Sequence, residues 1–93
     1  MIKSFACRET AAIWVERPSR RFPAKIQQRA LNKLALLNRA ARLEDLQVPP
    51  SNRLEKLAGD RKGQYSIRIN QQWRLCFRWT GTDAGAVEIV DYH

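Results

Sequence analysis

The sequence predicts an α+β fold in which an N-terminal strand and two helices cover one face of an antiparallel β-sheet. Three observations support this prediction. Apolar residues recur at helical spacing before residue 42, and they alternate with polar residues after residue 52. The chain of 93 residues is also long enough for one small core. We therefore expect residues 1–93 to form one domain.

The first half of the chain contains the predicted helices. Residues 2–5 are predicted as a short strand, and residues 9–15 as a helix. Pro18 ends this helix, because proline disfavours the helical conformation in the residue before it. Pro23 suits the first turn of a second helix that runs to about residue 41. The apolar spacing in that helix predicts a buried stripe formed by Ile26, Ala30, Leu34, Leu37 and Ala41.

The second half of the chain contains the predicted sheet. Residues 43–52 show neither helical spacing nor strand alternation of apolar residues, and Pro49 and Pro50 indicate an extended connector. Residues 53–57, 64–70, 73–79 and 86–92 are predicted as strands, with turns at residues 59–63 and 81–85. Short turns between successive strands predict an antiparallel meander. The apolar face of its two central strands would be formed by Tyr65, Ile67, Ile69, Trp73, Leu75, Phe77 and Trp79.

The charge is strongly positive and unevenly distributed. Seventeen Lys and Arg against nine Asp and Glu give a net charge of +8, typical of domains that bind polyanions or acidic partners. Residues 17–42 contain eight cations and no acid, and residues 53–78 contain seven cations and two acids. We expect two separate basic regions with different tasks. In the first, Lys25, Arg29 and Lys33 repeat every four residues, as on a solvated helix face or a surface for phosphate or an acidic partner.

The polar face of the predicted sheet concentrates arginine. Alternation places Arg68 on one strand and Arg74 and Arg78 on the next. Like charges that face each other across strands are destabilising by tenths of a kcal/mol up to about 1 kcal/mol, which a bound anion would offset. Guanidinium groups match phosphate oxygens in a bidentate geometry, so this face favours a phosphodiester. An ordinary solvent-exposed strand face is the alternative.

His93 is the only histidine, and it follows Asp91 and Tyr92. These three residues could position a proton donor near the arginines, although a functionally irrelevant tail is the alternative. One histidine and the distant Cys7 and Cys76 form no metal motif, and no glycine-rich phosphate loop is present, so no cofactor is expected. Free thiols and the lack of an apolar run of about 20 residues predict a cytoplasmic protein without a membrane span.

Several segments together resemble one family. Residues 50–54, 56–57, 59–70 and 73–77 and the closing Asp91, Tyr92 and His93 resemble the HigB-type killer toxins of the RelE/ParE superfamily. With residues 1–5, the resemblance covers essentially the whole chain. It implies a type II toxin that cleaves mRNA at the 30S ribosomal A site. It also implies a helix-turn-helix antitoxin of the HigA type, through which alone the toxin would contact DNA.

The resemblance also suggests which residues act. Arg74, Asp91, Tyr92 and His93 match the active-site region of the family, with Arg74 as phosphate clamp and His93 as proton-transfer residue. Some members carry a second catalytic histidine before the Gly-Asp-Arg turn, where the nearest candidate in this sequence is Glu55. The predicted substrate-binding residues are Arg53, Arg61, Lys62, Arg68 and Arg78. The predicted partner-binding residues are Arg20, Arg21, Lys25, Arg29 and Lys33.

Two other functions remain open from the sequence. A toxin of the same fold could act on a protein such as gyrase, which would leave the Asp-Tyr-His ending without a role. A module that binds RNA without cleaving it would need the basic face but no proton donor.

Overall fold

The computed structural model describes residues 1–92 and has the predicted α+β architecture. Two helices lie on one face of a four-stranded sheet whose order follows the sequence, and every neighbouring pair of strands is antiparallel. The elements are α1 (Arg8–Trp14), α2 (Ala24–Arg39), β1 (Glu55–Lys56), β2 (Gln64–Arg68), β3 (Trp73–Thr80) and β4 (Asp83–Asp91).

Helix α2 contributes most of the helical side of the core. Four residues of its predicted apolar stripe, Ile26, Ala30, Leu34 and Leu37, are buried as expected. They form one apolar core with Ile69, which directly follows β2, and with the strand residues Ile67, Leu75, Phe77, Val87 and Ile89. The prediction for Ala41 is wrong. The helix ends at Arg39, and Ala41 lies outside it and is exposed.

The N-terminal segment lies along the outer edge of β4, but it forms isolated bridges rather than a strand. Ile2 pairs with Ala84 and Phe5 pairs with Val87, both in parallel orientation. Between these two bridges the Ser4 hydroxyl accepts a hydrogen bond of 2.8 Å from the backbone N–H of Ala86. The segment therefore covers part of an edge that would otherwise present unpaired backbone groups.

A β-bulge explains how β4 keeps its apolar residues on the core side. Ala86 has a φ of 48°, and the pairing of β3 with β4 shifts by one residue at this point. Such a bulge reverses the alternation of side chains beyond it. As a result Ala84 on one side and Val87 and Ile89 on the other are all buried.

The connector between α2 and β1 is not extended, so that prediction is wrong. It forms two short 3-10 helices, Leu43–Gln47 and Pro50–Asn52. Asn52 is completely buried, and its amide nitrogen donates to the carbonyls of Leu46 at 3.1 Å and Val48 at 3.3 Å. Side-chain bonds of this kind stabilise local turns in place of regular structure. Strand β1 is shorter than predicted, because Arg53 adopts a left-handed conformation with φ 46°.

Candidate active site

Arg74 lies near the start of the interior strand β3, on the sheet face that the helices leave uncovered. Only 7% of the residue is exposed, and three acceptors hold its guanidinium group. Nε donates to Ser66 Oγ at 2.8 Å, Nη2 donates to the carbonyl of Arg53 at 2.6 Å, and Nη1 lies 3.4 Å from Glu55 Oε1. Strand β2 supplies Ser66, and β1 with the turn before it supplies the other two groups. The guanidinium group is therefore fixed before any ligand arrives.

Tyr92 covers the Arg74 guanidinium group from the end of β4. The guanidinium carbon lies 5.8 Å from the centre of the Tyr92 ring, within the range of a cation–π contact. The Tyr92 hydroxyl lies beside the sulfur of Cys76, which is completely buried. Burial raises the pKa of both Tyr92 and Cys76. Both groups are therefore neutral at neutral pH.

Arg61 brings a second cation to the same face. Its Nη1 donates to Glu88 Oε1 at 2.8 Å and to Gln64 Oε1 at 3.0 Å. The hydrogen bond to Glu88 raises the pKa of Arg61, so the group remains charged. The side chain of Arg61 is thus drawn from its turn over the sheet, toward Cys76 and Tyr92.

A groove of about 450 Å³ borders this cluster, and it brings one residue of the first basic region to the site. Arg21, Phe22 and Trp73 line it together with Arg61, Glu88 and Asp91. The Arg21 guanidinium carbon lies 5.6 Å from the Phe22 ring centre, and the Phe22 and Trp73 rings meet edge to face.

A second cleft joins the two basic regions at the carboxyl end of β2. Arg29 and Lys33 of α2 line it together with Arg68. Residues of the first basic region therefore lie beside residues of the second at both places.

The other predicted residues occupy varied positions. Arg68 is the cross-strand neighbour of Arg74, and its Nε donates to the carbonyl of Asn70 at 3.1 Å. Asp91 accepts a hydrogen bond of 3.1 Å from Gln72 Nε2. Arg53 contributes its backbone carbonyl to the cluster, and its side chain is exposed. His93 lies outside the described residues. The side chains of Arg20, Lys25, Lys62 and Arg78 are exposed.

Gly63 makes room for Arg78. Its φ is 92°, and a Cβ atom at this position would lie 3.0 Å from Arg78 Nη1. The glycine therefore serves both the turn before β2 and the close approach of a guanidinium group.

Three residues of the cluster were not predicted: Ser66, Cys76 and Glu88. A signal for two of them was present, because alternation puts Ser66 and Cys76 on the same face as Arg68 and Arg74. Glu88 could not be placed in this way, since the bulge changes the facing of β4. Within residues 1–92 there is no group of three or more His, Cys, Asp or Glu side chains that could hold a metal ion. Neither helix in that range has the length and apolar character needed to cross a membrane.

Comparison with known proteins identifies the family. The family model described as a RelE-like toxin of the type II toxin-antitoxin system HigB matches residues 13–93. The chain belongs to this family. This HigB-like toxin is 45% identical to Toxin HigB-1 of Vibrio cholerae over 60 residues, which cover 64% of the chain and 63% of that relative. It is 29% identical to Endoribonuclease HigB of Proteus vulgaris over 93 residues, the full length of both proteins.

Solved structures confirm the fold of the HigB-like toxin. YafQ from Escherichia coli superposes with a TM-score of 0.64 at 14% identity, covering 98% of this chain and 91% of YafQ. The YoeB–YefM complex from Staphylococcus aureus gives a TM-score of 0.61 at 18% identity, covering 100% of this chain and 95% of the matched one. At these identities the likeness concerns the fold alone.

Proposed function

We propose that this HigB-like toxin is a ribosome-dependent endoribonuclease that cleaves mRNA by metal-free attack of a 2′-OH on the adjacent phosphate. The observation that supports this most is the fixed guanidinium group of Arg74 on the uncovered face, with Glu55 on one side and Tyr92 over it. The relative named Endoribonuclease HigB, which matches along the whole chain, supports the same activity.

Arg74 would neutralise charge on the phosphorane. Donors that are fixed in advance near the developing charge lower the barrier most, and losing one such donor costs about 10²–10³ in rate. Glu55 is 54% exposed and lies 3.4 Å from Nη1 of Arg74. A phosphate bound at this nitrogen would therefore sit beside a carboxylate that could accept the 2′-OH proton.

His93 would protonate the leaving 5′-oxygen, with Asp91 orienting it. A positioned proton donor contributes about 10²–10⁴ in rate. Tyr92 would act through its ring, which lies over the Arg74 guanidinium group. An aromatic face beside a phosphate site is suited to stacking on an unpaired RNA base.

The proposed partners follow from the family and the charge. The antitoxin would be a helix-turn-helix protein of the HigA type, and any contact with DNA would be made through it. The solved YoeB–YefM complex is a toxin–antitoxin complex in which one chain has the same fold as this protein, which supports partnership with an antitoxin. The ribosome with mRNA in its 30S A site would be the working substrate, and the cytoplasm the place of action. Exposed cations such as Arg20 and Lys25 would dock on ribosomal RNA or the antitoxin.

Primer extension on a message translated by purified ribosomes tests the proposal. The wild type should cleave the message at codons in the A site, and His93→Gln should reduce cleavage about 10²–10⁴-fold. The matched control is Arg8→Gln, which removes an exposed charge from α1 and should leave cleavage unchanged. Inhibition of translation by the wild type without any cut message would indicate a non-cleaving RNA-binding protein. DNA damage in cells without message loss would indicate a gyrase-directed toxin.

A further inference from the structure

We infer that the cleft between α2 and the end of β2 binds a backbone phosphate of the RNA strand that the Arg74 cluster acts on. The cleft is lined by Arg29, Lys33, Ser51, Arg68, Ile69, Asn70 and Gln71 and has a volume of about 390 Å³. The inference deepens the proposed function and depends on it for the identity of the ligand as RNA.

The charge of this cleft is positive and uncompensated by its own lining. Three of its seven lining residues are cations, and none is an acid. Partial burial, with a contribution from the charge of Arg29, lowers the pKa of Lys33. A phosphate between these cations would remove the repulsion that they exert on one another.

Lys33 is held in place by a buried partner. Its Nζ donates to Oδ1 of Asn52 at 2.5 Å, and the amide nitrogen of Asn52 is fixed on the carbonyls of Leu46 and Val48. An ammonium group has three protons, and this bond uses one of them. The lysine is therefore oriented by the fold while it can still donate to a ligand.

Arg68 completes the site from the sheet. Its Nε donates to the carbonyl of Asn70, and that bond does not use the two terminal nitrogens, which can bind phosphate in a bidentate geometry. Ser51, Asn70 and Gln71 add neutral polar groups at the rim. This combination of guanidinium, ammonium and neutral donors fits a phosphodiester.

Continuity with the Arg74 cluster identifies the ligand as the cleaved strand. Arg68 and Arg74 are directly paired across β2 and β3, so their Cα atoms lie about 5 Å apart. An RNA strand with its scissile phosphate at Arg74 therefore reaches Arg68 within the next nucleotides. The cleft would act on substrate affinity and strand direction rather than on the chemical step.

The test measures binding of a short single-stranded RNA whose riboses are all 2′-O-methylated. Such RNA cannot be cleaved by 2′-OH attack, so the result does not depend on catalysis. Arg29→Gln and Arg68→Gln should each weaken binding about threefold at low salt, and the double variant about tenfold. Each single variant should also reduce the slope of log affinity against log salt by about 0.7. Arg39→Gln is the matched control, since it removes an exposed arginine from the same helix outside the cleft, and it should change affinity less than twofold.

Four outcomes decide the question. Equal effects of Arg29→Gln and Arg39→Gln would overturn the inference. The variants could also lose the same factor in affinity for ribosomes without mRNA as for programmed ribosomes. This result would assign the cleft to ribosomal RNA and would overturn the inference too. Loss of antitoxin binding with RNA affinity unchanged would overturn it in favour of an acidic protein partner. If the variants lose RNA affinity as expected while the wild type cleaves no message, the cleft is supported and the proposed nuclease activity fails.

Discussion

The Arg74 cluster and the α2 cleft use the same kind of residue in opposite ways. In the cluster, each guanidinium group is engaged by acceptors of the protein: Arg74 by Ser66 and Glu55, and Arg61 by Glu88. In the cleft, Arg29, Lys33 and Arg68 line a cavity that has no acidic side chain in its lining. The comparison shows that arginine content alone does not describe a basic surface. Glu55 and Glu88 offset the charge of the cluster. In the cleft, Lys33 and Arg68 are held by neutral acceptors, so their charge is not offset.

This difference predicts that the cluster and the cleft affect different steps of the reaction. The guanidinium group of Arg74, a residue that is only 7% exposed, is already oriented and needs little reorganisation when charge develops on a phosphate. It should therefore act on the rate of the chemical step. Cations around an open cleft are at least partly exposed to solvent, so salt screens their field over about 8–10 Å. They should act on affinity and on its salt dependence.

Replacement of Arg74 by lysine should have the largest effect. Arg74→Lys keeps the positive charge but cannot donate at once to Ser66 Oγ, the Arg53 carbonyl and a phosphate in the planar geometry of arginine. We expect single-turnover cleavage on programmed ribosomes, at saturating toxin, to fall about 10²–10³-fold. The same change at the cleft, Arg68→Lys, should leave this saturated rate within about threefold, since cations of the cleft act on affinity.

A thermal melt of Arg74→Lys accompanies the kinetics, because the variant must be shown to fold. Should the saturated rate survive in Arg74→Lys while affinity falls, the cluster would behave as the cleft does. The distinction between oriented donors and open cations would then be lost.

Removal of the Asn52 side chain should have the next largest effect, on stability. Asn52→Ala leaves two carbonyls and the Lys33 ammonium without their buried partner. An unsatisfied buried polar group costs about 1–3 kcal/mol, so we expect the free energy of unfolding in urea to fall by about that amount. The matched control Asn32→Ala, at an exposed position of α2, should change it by about 0.5 kcal/mol or less.

The same variant also tests how the cleft is built. If Asn52 orients Lys33, binding of the methylated RNA should weaken in Asn52→Ala under conditions where the protein is folded. Unchanged affinity, with stability reduced as expected, would mean that Asn52 supports the connector alone.

Much of the fold could be predicted from the sequence, because the spacing of apolar residues within a segment shows which side chains face the core. Ile67, Ile69, Leu75 and Phe77 alternate with polar neighbours, and all four are buried. The connector at residues 43–52 could not be predicted in the same way. Its conformation depends on Asn52, whose partners lie on residues four and six positions earlier and on α2.

The candidate site was predictable only in part, for a related reason. Alternation correctly put Arg68 and Arg74 on the same face of neighbouring strands. It could not show that the Arg74 side chain would be buried against Ser66 and Glu55. The one-residue bulge at Ala86 also reverses the facing of β4, so Glu88 reaches Arg61. A one-residue shift of this kind leaves no clear trace in composition or period, and it decides which acceptors meet which cations.

The smallest expected effect concerns the titration of Tyr92. Burial is the largest cause of its raised pKa, and the neighbouring Cys76 raises the pKa further through its charge. Cys76→Ala removes the second cause, so the pKa of Tyr92 should fall toward the ordinary value of about 10 and yet remain above it. The measurement is the ultraviolet absorbance of tyrosinate against pH. The same titration of Tyr92→Phe gives the absorbance of Tyr65, which is subtracted.

The salt dependence of the Tyr92 pKa distinguishes the Arg74 cluster from the α2 cleft. Contact between Cys76 and Tyr92 is direct and partly buried, so high salt should change the pKa difference between wild type and Cys76→Ala very little. In the α2 cleft, by contrast, salt should weaken the effect of every charge change on RNA binding. A Tyr92 pKa that is unaltered by Cys76→Ala would mean that burial alone raises it. A difference that vanishes at high salt would mean that the charges of the cluster are screened as freely as those of the cleft.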